Sequence, residues 1–201
     1  MSLADEILTR VLDRPFDNER LAIKNNLGGD IMMENTSSNF VTLVFVKKLH
    51  QDAIIPVRQT ELSSGLDLYA VDVASCEYPN MPYDDTFTFY ELEPGERVLV
   101  KTGLALQMPE GMEAQIRPRS GMALKRGVTV GNSPGTIDRD FTSDIGVILV
   151  NHGDEVYLIR KGDRIAQLVF QNVLHDVELV EAETLDKTGR GEGAFGSTGQ
   201  A

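Results

Sequence analysis

Between Gly127 and Phe141 the chain carries an amide, Asn132, and soon after it a carboxylate, Asp138. An amide can read the hydrogen-bonding edge of a small ligand, and a carboxylate can take a proton from water. Asn132-Ser133-Pro134-Gly135 is turn chemistry, with Val128 and Val130 before it and Thr136 and Ile137 after it as β-type residues. The stretch reads as a strand, a turn and a second strand: a hairpin with a reader at its tip and a base at its exit. Just upstream, Arg117-Pro118-Arg119-Ser120-Gly121 offers two guanidiniums, a hydroxyl and a glycine that lets backbone N–H groups approach an anion. Those are the parts of a phosphate cradle, although the pentapeptide alone reads more readily as a surface turn. Near the C-terminus, Arg190 to Gly199 again combines Arg, hydroxyls and glycines, with Phe195 able to stack on a base. Gly191, Gly193 and Gly196 satisfy G-x-G-x-x-G, but no strand precedes them, which excludes a dinucleotide-binding reading. His50, His152 and His175 lie far apart and read as surface or turn residues.

These groups need a scaffold, and the surrounding pattern is β. Val41 to Val46 is rich in branched and aromatic residues, and Leu66 to Ala70, Val98 to Val100 and Leu104 to Leu106 alternate. Pro94-Gly95, Pro109-Glu110-Gly111, Asn151-His152-Gly153 and Lys161-Gly162-Asp163 punctuate these runs as turns. Short strands at this spacing predict a closed or sandwiched all-β domain over residues 40–186. Residues 75–90 read as a longer loop or an extra hairpin. Residues 1–39 form a separate extension. Ser2 and Asp5 have capping-box spacing, Leu3, Ile7, Leu8, Val11 and Leu12 share a helical face, and a weaker helical stretch runs from about Asn18 to Leu27. Residues 187–201 are Gly-rich with little apolar content, so they read as an arm ordered only by something outside themselves.

With 201 residues the chain can bury one sizeable core. A net charge of -12 argues against nonspecific binding to nucleic acid backbone, so a polyanionic ligand would have to meet a local Arg cluster or a bound cation. Cys76 is the one cysteine, which excludes an intrachain disulfide and a Cys-based zinc site. There is no basic region ahead of an apolar core at the N-terminus and no apolar run long enough for a bilayer. A cytoplasmic protein without membrane contact is the expectation, or an intracellular one in a host if the source is viral. Asn35-Thr36-Ser37 is then a chance glycosylation match.

In order, five stretches stand out: Ser-Gly-Leu-Asp-Leu-Tyr-Ala (64–70), Pro-Arg-Ser-Gly-Met-Ala-Leu-Lys (118–125), Gly-Asn-Ser-Pro-Gly-Thr-Ile-Asp-Arg-Asp-Phe (131–141), Gly-Asp-Arg-Ile-Ala-Gln-Leu (162–168) and Arg-Gly-Glu-Gly-Ala-Phe-Gly-Ser-Thr-Gly (190–199). This series resembles the five ordered motifs of the trimeric deoxyuridine triphosphate nucleotidohydrolases (dUTPases), from about Val41 to Gly199. The resemblance implies a jelly-roll-like β-barrel and a homotrimer. Each site would draw motifs one, two and four from one subunit, motif three from a second and motif five from the third. It implies hydrolysis of dUTP to dUMP and pyrophosphate, with Mg2+ held through the substrate triphosphate. Asp138 matches the water-activating base and Asn132 the uracil reader, with Thr136 and Ile137 beside them on the same stretch. Arg119, Ser120, Gly121 and Gln167 match phosphate-contacting positions. Arg190 matches the γ-phosphate ligand and Phe195 the uracil stacker, while Gly196, Ser197 and Thr198 line the phosphates. Asp67 matches a carboxylate near the metal's water shell, and Gly146 a backbone contact to substrate.

Phe141 stands where the family usually has Tyr beneath the sugar; stacking and exclusion of a 2′-hydroxyl need only the ring. Ser143 and Ala194 each replace a glycine. The extension at 1–39 and the 75–90 loop are additions that could dock a protein partner, which keeps open a regulatory binding protein on the same scaffold. A related dCTP deaminase would need a carboxylate on the strand after the hairpin, where this chain has Ile148.

Overall fold

The computed structural model describes the backbone of residues 23–24 and 30–31, and residues 42–191 in full. Two four-stranded antiparallel sheets make the body of the fold. One runs Val128–Val130 (β10), Gly146–Asn151 (β12), Arg97–Lys101 (β7), Asp72–Ala74 (β5); the other runs Gly135–Ile137 (β11), Met112–Arg117 (β9), Arg164–Asn172 (β14), Leu66–Tyr69 (β4). Phe45–Lys48 (β3) pairs with Leu104–Gln107 (β8), and Phe89–Leu92 (β6) with Tyr157–Arg160 (β13). This is the all-β, jelly-roll-like barrel expected from the sequence.

Period-two alternation decides what faces inward. On β12, Val147, Leu149 and Asn151 are buried while Gly146, Ile148 and Val150 are half-buried. Val147 and Leu149 join Val100, Val128, Leu68, Ala114 and Ile159 in one core between the sheets. Each such aliphatic side chain contributes about 1.5–3 kcal/mol by leaving water. Among the described residues no helix is long and apolar enough to cross a membrane.

The stretch 127–141 departs from the expected hairpin. Its two strands form, but β10 pairs with β12 and β11 pairs with β9. Val128 and Val130 face the core from one sheet, Gly135 and Ile137 from the other. The turn therefore carries the chain across the barrel instead of folding it back on itself. Gly131 N donates to Ile148 O at 2.8 Å, and the Ser133–Pro134 peptide is cis.

Residues 118–125 also differ from a plain turn. Ser120–Arg126 is a short helix (α1), closed by Gly127 at φ 68 with its N–H on Ala123 O. Met122-Ala123-Leu124-Lys125-Arg126 is a run of strong helix formers, Gly127 supplies the left-handed cap, and the last two cations suit the helix C-terminus.

The helix expected over about Asn18 to Leu27 is contradicted at its centre. Ile23–Lys24 (β1) pairs with Asp30–Ile31 (β2). A β-branched residue in each strand favours that pairing. The proposed helix at Leu3 to Leu12 lies outside the described residues. β3 begins at Phe45, later than the Val41–Val46 pattern suggests, because its partner ends at Gln107 and Pro109 lies just beyond. No strand forms between Ala74 and Phe89, as expected of a loop, but Phe87 is buried and Tyr83 packs on the core.

Candidate active site

Three neighbouring strands position the residues expected to contact phosphate. Asp67 on β4 lies opposite Gln167 on β14, and Gln167 lies opposite Arg117 on β9. Beyond Arg117 the chain stays extended through Arg119 (φ -87, ψ 124) and then enters α1. Arg119 turns back over the sheet. Its Nε lies 3.3 Å from Asp67 Oδ1, and its Nη1 donates to Arg164 O at 3.0 Å. Arg164 Nη1 donates to Asp67 Oδ2 at 3.0 Å. Both oxygens of the buried Asp67 thus face guanidiniums, the pairing a buried charge requires. Gln167 Nε2 donates to Pro118 O at 2.9 Å. Gly65 makes that placement possible, since a Cβ there would sit 2.2 Å from Gln167 Oε1.

Asp67, Arg119, Arg164 and Gln167 line a cleft of about 1280 Å³ together with Ser120, Gly121, Lys125, Arg126, Tyr157 and Arg160. The first turn of a helix leaves its N–H groups without intrahelical acceptors, so Ser120 and Gly121 present free donors as well as a hydroxyl. Arg119, Lys125, Arg126, Arg160 and Arg164 line the cleft beside Asp67, Asp154, Glu155 and Asp163, which leaves a small cationic excess in a chain of net charge -12. Burial pushes the Tyr157 hydroxyl pKa up and Asp163 adds to it, while Arg119, Arg126 and Arg160 pull the other way.

The far wall depends on Asn151, which is fully buried. Its Nδ2 donates to Leu92 O and Glu155 O, both at 2.9 Å, and its Oδ1 accepts from Gly153 N at 2.9 Å. That fixes the 152–155 turn against the end of α1. A Cβ on Gly127 would lie 2.5 Å from Gly153 N.

The other half of the expected site is elsewhere. Asp138, Asn132, Thr136 and Phe141 are exposed and do not line this cleft. Ile137 is buried, so its side chain belongs to the core. Asn132 folds over Gly135, where a Cβ would lie 3.1 Å from Nδ2. Phe141 N closes a turn onto Asp138 O at 3.1 Å. Gly146 sits on β12, where a Cβ would lie 2.6 Å from Leu99 Cδ1. The register of β11 on β9 explains the separation: Ile137 lies opposite Ala114, so Asp138 falls at the level of Glu113. From there to Arg119 the chain runs extended, roughly 20 Å at strand rise. Arg190 is exposed, and Phe195, Gly196, Ser197 and Thr198 lie outside the described residues.

Sequence reasoning missed Arg164, Arg160 and Tyr157. Arg164 stands three positions before Gln167, so a strict period of two puts it on the opposite face. A register shift between Arg164 and Ala166 brings both to one side. Two consecutive buried residues, Ile165 and Ala166, were the available signal. Ile148 is half-buried and apolar beside Gly131, so the strand after the turn offers no carboxylate there.

Comparison with known proteins gives the family. The dUTPase family model matches residues 86–199. The deoxyuridine 5'-triphosphate nucleotidohydrolase of Heliobacterium modesticaldum is 58% identical over 156 residues, covering 78% of this chain and 96% of that protein. That of a Hydrogenobaculum species is 52% identical over 156 residues, with 78% and 97% coverage. Among solved structures, the dUTPase of Staphylococcus bacteriophage 80alpha with dUpNHpp superposes with a TM-score of 0.64 at 25% identity, covering 80% of this chain and all of that one. The fold is also shared with the dUTPase of phage phi11 of S. aureus, whose variant structure shows a coordinated structural Mg(II) ion (TM-score 0.59, 22% identity, 72% and 99% coverage). By sequence and by fold, the chain belongs to the dUTPase family.

Proposed function

We propose that this dUTP-hydrolysing chain works as a homotrimer whose sites are shared between copies. One copy supplies the cleft of Asp67, Arg119, Ser120, Gly121 and Gln167 for the phosphates. A second supplies Asn132 and Asp138, and a third lays residues 187–201 over the top. The separation of about 20 Å between Asp138 and Arg119 within one chain carries this reading, since both have to act on one triphosphate.

In such a site Asp138 accepts a proton from a water aligned with the α-phosphorus. Arg119, Gln167 and the N–H groups of Ser120 and Gly121 meet the charge that develops on the phosphates. Asn132, with backbone groups of Thr136, Ile137 and Gly146, reads uracil by its pairing edge; cytosine would leave buried polar groups unpaired. Phe141 covers the face of the deoxyribose. Arg190 reaches the γ-phosphate, Phe195 stacks on uracil, and Gly196, Ser197 and Thr198 close the lid and exclude water.

Among the described residues no group of three or more His, Cys, Asp or Glu could hold a metal ion by itself. An Mg2+ bound to the substrate triphosphate would keep several of its own waters, and Asp67 matches the family position near that water shell. When bound, the cation neutralises phosphate charge and stabilises the leaving pyrophosphate. The products belong to pyrimidine nucleotide metabolism, where dUTP removal keeps uracil out of DNA and dUMP feeds thymidylate synthesis.

Pyrophosphate release from dUTP, dCTP, dTTP and UTP, with and without Mg2+, tests the substrate. Asp138→Asn should bind nucleotide and lose most turnover. Mixed trimers test sharing: Asp138→Asn and Arg119→Ala chains, each inactive, are co-expressed at equal levels. Random closed assembly then restores roughly a quarter of the sites, because base and cradle come from different copies. No recovery in verified mixed trimers would refute the shared site.

A further inference from the structure

The loop at 75–88 has no part in the five motifs, yet one of its side chains reaches the segment that carries the base. Tyr83 Oη donates to Asp144 Oδ2 at 2.6 Å. The ring is held on both sides: Lys101 Nζ stands 4.5 Å from its centroid, and the His50 ring packs at 4.7 Å. The loop is fastened around it. Lys101 Nζ donates to Met81 O, Asp84 N donates to Oδ2 of the buried Asp72 at 2.9 Å, and His50 Nε2 pairs with Asp85 Oδ1 at 3.0 Å. Asp144 in turn takes Gly103 N–H on Oδ1 at 3.0 Å.

Asp144 is the last residue before the ladder resumes. Ile145 N donates to Leu104 O, and Ile145 O accepts from both Thr102 N and Thr102 Oγ1. At the other end Ile137 is paired with Ala114 on β9. The exposed span 138–143, with Asp138 and Phe141 in it, is thus strung between two anchors, and its main internal tie is the Phe141 N–Asp138 O turn. How the peptide before Asp144 is oriented sets how that span leaves its anchor.

We propose that Tyr83 is a positioning residue for the catalytic segment 138–143, acting through Asp144. The proposal rests on the reading of Asp138 as base. It gives the inserted loop a task in the reaction: its hydroxyl sets the approach of Asp138 to the α-phosphorus and of Phe141 to the sugar. A small displacement of a base costs rate disproportionately, because the attacking geometry is narrow.

The experiment uses the full chain. Tyr83→Phe keeps the ring between His50 and Lys101 and removes only the hydroxyl, so the fold should survive, as circular dichroism and size-exclusion chromatography would verify. We expect kcat for dUTP to fall about tenfold and the preference for dUTP over UTP to fall with it. Asp144→Asn keeps an acceptor for Gly103 N and a donor for Tyr83 Oη, and should stay within about twofold of the parent; Asp144→Ala, which also strips the acceptor from Gly103 N, should lose at least as much as Tyr83→Phe. The Tyr83→Phe/Asp144→Ala double variant should be no slower than the slower single. Parental kcat or parental sugar discrimination in Tyr83→Phe, or losses that multiply in the double variant, overturns the proposal. Asp138→Asn is run alongside: if it turns over normally, the base assignment fails, whereas if it is inactive while Tyr83→Phe is normal, only the latch fails.

Discussion

Replacing Asp67 by Asn keeps the shape of the side chain and removes the charge that two guanidiniums share. The carboxylate oxygens lie 3.3 Å from Arg119 Nε and 3.0 Å from Arg164 Nη1, with 11% of the Asp67 side chain accessible. In the variant one oxygen becomes an NH₂ that faces another donor, so one contact turns repulsive. Breaking a fully buried ion pair costs about 3–5 kcal/mol. Arg119 and Arg164 are 29% and 43% accessible and can rehydrate, so a loss of about 2 kcal/mol in unfolding free energy is expected, near that of one charged hydrogen bond. Catalysis should suffer independently. Arg119 is aimed by Asp67, and freeing it should lower kcat/KM for dUTP about 100-fold, or about 2.7 kcal/mol. Urea unfolding and steady-state pyrophosphate release measure the two effects. An Mg2+ titration separates aiming of Arg119 from a water-mediated hold on the cation: half-saturating Mg2+ stays put in the first case and rises in the second. A variant with kcat/KM within about threefold of the parent would show that Arg119 does not depend on Asp67, and the account of the cleft would fall.

Gly65→Ala puts a Cβ 2.2 Å from Gln167 Oε1 and displaces that amide. Pyrophosphate release should fall about tenfold while urea unfolding changes by only about 1 kcal/mol, since the clash is with a side chain that can swing away. Gly127→Ala meets backbone instead, 2.5 Å from Gly153 N at φ 68; a loss of roughly 2–4 kcal/mol is expected from thermal or urea unfolding. Burial raises the pKa of Asp144 above its ordinary 3.8, outweighing the hydrogen bonds from Tyr83 and Gly103 and the charge of Lys101. The folded chain therefore holds that proton to higher pH than the unfolded chain. Asp144's contribution is fully present below 3.8 and is lost as pH rises through the raised folded value. Chemical unfolding across that window should show Asp144→Asn gaining on the parent as pH rises, and a constant difference would contradict the burial argument.

Much of the site was legible because its residue types are unusual for their surroundings. Arg and Gly beside strand ends, and an amide and a carboxylate flanking a turn, stand out against a β pattern that otherwise alternates apolar with polar. The barrel was legible for the same reason, from period two and punctuating turns. What escaped was whatever depends on which strands meet. Arg164 reached the cleft only through a register shift, and the role of Gly65 exists only because Gln167 is opposite Asp67. The helix at Ser120–Arg126 was overlooked because its first residues, Ser120 and Gly121, read as a turn. The Tyr83–Asp144 contact joins residues 61 positions apart in sequence and leaves no local pattern.

The same dependence on pairing decides how the stretch 127–141 must be used. As a closed hairpin it would have been a self-contained reader and base. As a crossing between sheets it delivers Asp138 to the far end of β9 from Arg119, and no side-chain motion spans that gap while Ile137 stays paired with Ala114. In the proposed assembly a second copy closes it. A heterologous contact that repeats must either close into a ring or grow into a filament, and the proposed threefold ring would put each Asp138 over a neighbour's Arg119. The segment before Arg190 supports the same conclusion. Leu174, Leu179 and Leu185 are 84%, 95% and 87% exposed along a stretch with no assigned strand or helix. In the proposed trimer, a stretch lying across the next copy would cover these apolar residues.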